Sequence, residues 1–475
     1  METELILKFL VLAVGFYMAW NIGANDVSNA MGTSVGSGAL TLKRAVVVAA
    51  ILEFSGAFFV GANVSETMQR GLIDTEMFIT EPLILILGMS AALFGASIWL
   101  QIASFFGWPV STTHAIVGAI LGFGALIGGV DAIQWAEVGS IALSWVISPG
   151  ISAIISYLIF SILQRNILYA MNPTEAAKKF IPLLVFIIFS TFSISLIFNG
   201  FQNLHLKIDF SEAFGLSILI GIIASAVAYL FVRRIPLPEI DARPPSHYLP
   251  QTVVSLEKAI KHLQRVQVAS FDATHDQVRR LLNEMRQLSN QIRQETSFTQ
   301  RASEYRSVEK MFVYLQILSA CFVAFAHGAN DVANAIGPVA AVLNVIKNGI
   351  ISDVAIIPSW LLAFGGLGIV VGLATWGWRV IETIGKKITE LTPTRGFCAE
   401  FGAATTVLIA SKLGLPISTT HCLVGAVLGV GLARGMQALN LNMLRDIILS
   451  WIITLPASAA MSIFVFYILR AIFGL

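Results

Sequence analysis

The chain has 475 residues, 56% of them hydrophobic and 12% charged, with a net charge of +2. Soluble domains carry about 25% charged residues, so a soluble globular fold is excluded, and the near-neutral balance gives no basis for nucleic-acid binding. Long apolar runs without strict alternation point to membrane helices, each needing about 20 residues to cross a hydrocarbon core of about 30 Å.

In chain order, apolar segments fall at 4–30, 45–63, 82–106, 109–130, 138–163, 180–198, 211–232, 311–336, 354–382, 397–413, 415–434 and 445–472, about twelve crossings at this length per helix. The start "METELILKFLVLAVGFYMAW" lacks a basic leader and a small-residue cleavage site, so it reads as the first span. Two segments, 109–130 and 415–434, are short and open on Pro and hydroxyl residues, which predicts broken or hairpin helices. Counting each as a crossing puts both termini outside. Lys43, Arg44, Arg165, Lys178, Lys179, Arg379, Lys386, Lys387, Arg395, Arg434 and Arg445 then face the cytoplasm, as the positive-inside rule prefers. Arg70, Lys207, Lys347, Lys412 and Arg470 fall outside. Cys321, Cys398 and Cys422 lie in or beside apolar segments and form no disulfide framework.

Residues 233–310 differ in kind, holding 13 of the 30 Lys and Arg against nine acids. Two amphipathic stretches, 251–270 and 274–297, follow a Pro-rich entry, and Val278, Leu281, Leu282, Met285 and Leu288 recur at helical spacing. This reads as a basic cytoplasmic helical linker joining an N-terminal membrane half, 1–232, to a C-terminal one, 311–475. Its basic face fits a solvated linker or contact with anionic membrane lipid.

An internal repeat organises the two halves. "GANDVSNA", Gly23–Ala30, returns as "GANDVANA", Gly328–Ala335. Residues 94–122 align without a gap to 401–429 with 17 of 29 positions identical, and "LSW" at 143–145 returns at 449–451. Six crossings separate the two octets, so equivalent helices run in opposite directions. The expected fold class is an all-α integral membrane protein of two inverted-topology repeats with broken or re-entrant helices.

The octets place Asn25 and Asn29, and Asn330 and Asn334, four residues apart on a helix face, beside Asp26 and Asp331. Carboxylates, amide oxygens and carbonyls freed by unwinding at the flanking glycines would suit a hard cation such as Na⁺ rather than zinc. "PVSTTH" and "PISTTH" read as helix starts capped by Ser111 or Thr112 and by their repeat equivalents. A helix start inside a membrane offers unpaired N–H groups to an anion, with the hydroxyls of Ser111, Thr112, Thr113, Ser418, Thr419 and Thr420 as neutral donors. Neither motif contains Lys or Arg, so a multiply charged anion needs co-bound cations. Two further intramembrane acids, Glu53 and Glu400, are candidates for cation or proton handling. The repeat sets Glu400 against Leu93, and matching "FSGAFFVG" to "FGGLGIVV" sets Glu53 against Ala363, so the glutamates are not equivalents. His114 and His421 follow the hydroxyl triplets as anion donors or turn supports, whereas His327, opposite Ile22, reads as a packing residue.

GANDVxNA paired with P-[VI]-S-T-T-H, each twice across a basic loop, resembles the PiT family of inorganic phosphate transporters over nearly all the chain except 233–310. The resemblance implies phosphate uptake coupled to Na⁺ or H⁺, no cofactor beyond the co-transported ion, a multi-pass cell-membrane location and a homodimer. It places Asn25, Asp26, Asn29, Asn330, Asp331 and Asn334 on a central site, with the four asparagines binding phosphate and Asp26 and Asp331 binding cations. It gives the Ser-Thr triplets to phosphate or the ion sites, and His327 no role. Alternatives are a sulfate or other oxyanion carrier of the same fold, or an intramembrane hydrolase. The last lacks any spacing of nucleophile, base and orienter.

Overall fold

The computed structural model describes residues 2–70, 72–78, 81–197, 208–235, 250–270, 272–295, 298–348, 357–378, 380–381, 392–435 and 441–474. Among them are fifteen α-helices and no strand beyond one isolated bridge, Ile73 to Ile133. In chain order they are α1 (Glu2–Gly36), α2 (Leu42–Val60), α3 (Ala62–Arg70), α4 (Pro82–Phe105), α5 (Thr112–Gly128), α6 (Trp135–Leu163), α7 (Pro173–Ser195) and α8 (Phe210–Arg233). Then follow α9 (Pro250–Ala269), α10 (Asp272–Glu295), α11 (Phe298–Asn348), α12 (Ser359–Thr375), α13 (Pro393–Lys412), α14 (Thr419–Arg434) and α15 (Leu441–Ile472). Seven of the helices are long and apolar enough to cross a membrane, eight if α2 and α3, bent by 67° at Gly61, make one span. The segment expected at 354–382 lies partly outside the described residues.

The chain divides into two units. The second comprises 161–184 and 225–311, so it gathers the end of α6, the start of α7 and the end of α8 with the linker. Within it α9 and α10 form the expected helical pair. Val278 and Leu282 of α10 are buried while Leu281 and Leu288 are exposed, so the apolar stripe is narrower than the spacing implied. Tyr305 donates to the Leu168 carbonyl, Lys178 to that of Ile235, and the Lys258 ammonium lies over the Tyr169 ring.

The first unit, 1–160, 185–224 and 312–475, holds both repeats. Both octets lie inside unbroken helices, α1 of 35 residues and α11 of 51, so the expected unwinding at the flanking glycines does not occur. Those glycines serve close packing. A Cβ on Gly23 would stand 1.9 Å from the Ile369 carbonyl oxygen of α12, and one on Gly328 2.0 Å from that of Glu53 in α2. Gly56 meets the Phe325 carbonyl and Gly372 that of Trp20 in the same way. These reciprocal contacts fix the repeat register of α2 on α12, pairing Gly56 with Gly372 and Glu53 with Ile369. The match of Glu53 to Ala363 is therefore corrected by six residues. Short glycine-rich apolar strings match at several offsets, and only the contacts choose among them.

The breaks fall instead between α4 and α5 and between α13 and α14. At each, a glycine with φ +68°, Gly107 or Gly414, ends the incoming helix. Gly107 N–H donates to the Ser104 carbonyl and Trp108 N–H to that of Ala103, and Gly414 and Leu415 repeat the pattern on Ser411 and Ala410. This is the Schellman closure, which a left-handed glycine makes at little cost. An extended stretch follows, and then the predicted cap. Ser111 and Ser418 each accept from the N–H three residues on, that of His114 or His421, at 3.2 Å.

The packing generates a stability prediction. Gly23→Ala or Gly328→Ala sets a methyl against backbone that cannot rotate away, and should cost about 1–3 kcal/mol as overpacking does. Gly139→Ala, where nothing lies within 4 Å, should not. Thermal unfolding of the three purified proteins measures this; equal midpoints would contradict the tight α1–α12 and α2–α11 contacts.

Candidate ion-binding site

Four elements converge. Helices α1 and α11 bring the Asn-Asp octets, and the first turns of α5 and α14 bring the hydroxyls. Asp26 and Asp331 are fully buried. Thr112 of α5 donates to Asp26 Oδ2 at 2.7 Å, and its repeat equivalent Thr419 of α14 donates to Asp331 Oδ2 at 2.8 Å. The halves also cross over. Asn29 donates to Thr420 Oγ1 at 2.8 Å, and Asn334 to Thr113 Oγ1 at 3.1 Å. Thr113 in turn donates to the Ile417 carbonyl, and Thr420 contacts that of Val110. Each octet is thus tied to its own hairpin through the aspartate and to the opposite hairpin through the asparagine.

Asn25 and Asn330 anchor the hairpin turns. The Asn25 amide donates to Ser104 Oγ and the Trp108 carbonyl, and that of Asn330 to Ser411 Oγ and the Leu415 carbonyl. With all four asparagine NH₂ groups engaged, the side-chain carbonyl oxygens of Asn25, Asn29, Asn330 and Asn334 are left buried without a hydrogen-bond partner, as is Asp331 Oδ1. A buried acceptor with no partner costs about 1–3 kcal/mol. Four such amide oxygens on the two octets, with a free oxygen on one of the two carboxylates, fit a hard cation, whose ligands are carboxylate and carbonyl oxygens. They do not fit an anion directly.

His327, read from sequence as packing, stands at the centre. Its Nε2 is 2.9 Å from Asp331 Oδ2 and 3.8 Å from Asp26 Oδ2, and its Nδ1 is 3.3 Å from Glu53 Oε1, with all four side chains buried. Asp26, His327 and Asp331 each present an atom within 4.8 Å of the others. The signal was available, since His327 and Asp331 are four apart on a helix and so share a face. Glu53 reaches this group from α2 through His327.

Glu400 does not join the group. Its carboxylate accepts from Thr33, Ser34, Gln316 and Ser319, a fully buried network between α1, α11 and α13. His114 and His421 pack ring to ring at 4.5 Å, and each lies on a tryptophan, Trp145 or Trp451, from the repeated "LSW". Trp145 Nε1 donates to the Pro416 carbonyl. The histidines therefore wedge the two helix starts together rather than pointing among the carboxylates. Ser111 and Ser418 spend their oxygens on the caps and keep a hydroxyl proton to donate. The first N–H groups of α5 and α14 have no partner within their own helices.

The sequence matches the model of the phosphate transporter family over residues 22–462. It is 44% identical over 460 residues to the chloroplastic inorganic phosphate transporter 2-1 of Arabidopsis thaliana, covering 96% of this chain and 71% of that one. The fold is similar to a solved structure described as the sodium-dependent phosphate transporter, with a TM-score of 0.79, 36% identity, and coverage of 98% of this chain and 100% of that one. With its apolar helices and its buried pair of carboxylates between two capped helix starts, the chain is a multi-pass membrane transporter rather than an enzyme, and it belongs to the phosphate transporter family.

Proposed function

We propose that the protein is a cation-coupled phosphate symporter, with Na⁺ the coupling ion in preference to H⁺. The observation that carries this reading is the buried pair Asp26 and Asp331, each met by a threonine hydroxyl, with Asp331 Oδ1 and the side-chain carbonyls of the four octet asparagines left without a hydrogen-bond partner. Oxygens of this kind serve a sodium ion, whereas a proton needs only one carboxylate. The solved neighbour's description as sodium-dependent supports the same choice.

Phosphate has no Lys or Arg to bind to in either motif. The donors on offer are the first N–H groups of α5 and α14 and the hydroxyls of Ser111, Thr112, Thr113, Ser418, Thr419 and Thr420. Two helix N-termini offset part of the anion's charge, and cations at Asp26 and Asp331 offset the rest. Neither partner is held well without the other, which is the physical basis of coupling. The asparagines Asn25, Asn29, Asn330 and Asn334 then serve the cations, because their amides are already committed. Glu400, ringed by three hydroxyls and an amide, is a separate cation-handling position. His114 and His421 support the helix starts, and alternating access follows from movement of the hairpins about the central site. The protein works as a homodimer in the cell membrane, with 233–310 on the cytoplasmic side.

Two expectations arise from this geometry. Asp26→Asn or Asp331→Asn should abolish concentrative phosphate uptake into proteoliposomes under a sodium gradient; normal sodium-driven uptake in both would refute the reading, and uptake driven only by a pH gradient would assign the coupling to protons. Sulfate as competitor in the same assay tests the oxyanion alternative. Thr112→Val deletes the hydroxyl oxygen beside Asp26, a ligand for the cation in this reading, so the sodium concentration for half-maximal uptake should rise by roughly 10-fold or more. Thr112→Ser, which keeps the hydroxyl, should remain near the unsubstituted value.

A further inference from the structure

The two units differ in charge. Residues 161–184 and 225–311 hold 16 Lys and Arg against 10 acids, whereas the rest of the chain holds 14 against 18. The surplus is ordered on α9. Lys258, Lys261 and Arg265, all exposed, stand at i, i+3 and i+7 and so share one face of the helix. Leu256, Ile260 and Leu263 are half-buried on the opposite face, and α9 packs on α10.

This stripe starts beside the membrane surface. The α6 span runs on to Leu168 and that of α7 starts at Pro173, so residues 169–172 turn the chain between two spans. The Lys258 ammonium lies 5.7 Å from the centre of the Tyr169 ring, within cation–π range, and tyrosine is a residue of the membrane interface. Arg165, one turn before Tyr169, is exposed. Tyr305, near the start of α11, donates to the Leu168 carbonyl. Among the described residues no carboxylate pairs with Arg165, Lys261 or Arg265. Solvation alone accounts for the charges but not for Val268, which is 86% exposed one turn past Arg265, at the edge of the same face. A basic face edged by an exposed apolar side chain suits the boundary between headgroups and acyl chains.

We propose that α9, together with Arg165, is a docking site for anionic phospholipid of the membrane that holds the protein. Phosphodiester groups of the lipid accept from Arg165 beside Tyr169 and from Lys258, Lys261 and Arg265 along the stripe, while Val268 and the Tyr169 ring meet the acyl boundary. The helix is tethered to apolar spans on both sides, α8 before it and α11 after it. The lipid surface is therefore at high effective concentration, and each basic side chain near it adds to the attraction. A soluble acidic partner would have to displace that tethered surface.

Native mass spectrometry of the full-length protein in detergent, titrated with dioleoyl phosphatidylglycerol or dioleoyl phosphatidylcholine, tests this. Phosphatidylglycerol should be retained at about tenfold lower concentration. The triple variant Lys258→Gln, Lys261→Gln, Arg265→Gln replaces exposed side chains by another good helix former, and should lose most of that preference. Lys43→Gln with Arg44→Gln, exposed charges of the first unit, should keep it. In nanodiscs, the amides of α9 should exchange more slowly when half of the phosphatidylcholine is replaced by phosphatidylglycerol, and the slowing should vanish in the triple variant. Equal retention of the two lipids, or a preference unchanged in the triple variant, would overturn the proposal. So would identical α9 exchange in the two nanodiscs, or displacement of phosphatidylglycerol by inorganic phosphate, which would mark a free-anion site instead.

Discussion

An aspartate in the middle of a membrane helix costs about 2.5–3.5 kcal/mol on insertion scales, and this fold places two of them, Asp26 and Asp331, side by side. Each must be met by donors or cations from outside its own helix, because the helical backbone is already engaged with itself. The hairpins between α4 and α5 and between α13 and α14 meet that demand. A left-handed glycine turns each chain within the unit, an extended Pro-containing stretch carries it back, and a serine cap starts a new helix whose first threonine reaches the carboxylate.

The same demand explains why the octets sit in unbroken helix. An unwound segment would add free carbonyls to a site that already has an excess of acceptors in its four asparagine oxygens. Continuous α1 and α11 instead hold Asn, Asp and Asn at fixed angles. Their glycines are spent on bringing α12 and α2 to within backbone contact, which fixes the angle of those faces. Rigidity of the octets and sharp turns in the hairpins are two parts of one design, in which side chains rather than loosened backbone present the oxygens.

Much of this is legible in the sequence. The octets, the helix starts and the serine caps are local patterns, and a 29-residue ungapped repeat establishes which residues are equivalent across α4–α5 and α13–α14. Sequence reading fails where the information is not local. Glu53 falls opposite the wrong residue because α2 and α12 share only small and apolar residues, which match at several offsets; carbonyl contacts on Gly56 and Gly372 decide it. His327 escapes notice because its counterpart is isoleucine, and repetition marks only the positions that both halves keep. Glu400 groups with the aspartates on its chemistry, whereas the hydroxyls and the amide that surround it come from α1 and α11, far off in sequence. Repeats reveal what two halves have in common and hide what one of them has acquired.

The crossed contacts between halves carry a consequence about origin. Asn29 with Thr420 and Asn334 with Thr113 form the kind of interface in which one surface meets its own copy under a twofold axis. Two identical separate chains, each a single repeat, could build such a contact, and a dimer of that sort is the simplest ancestor of the fold. It could never have held histidine at one position and isoleucine at its mate. Within one polypeptide each repeat varies alone, and His327 with Glu53 is a difference that two identical chains cannot encode.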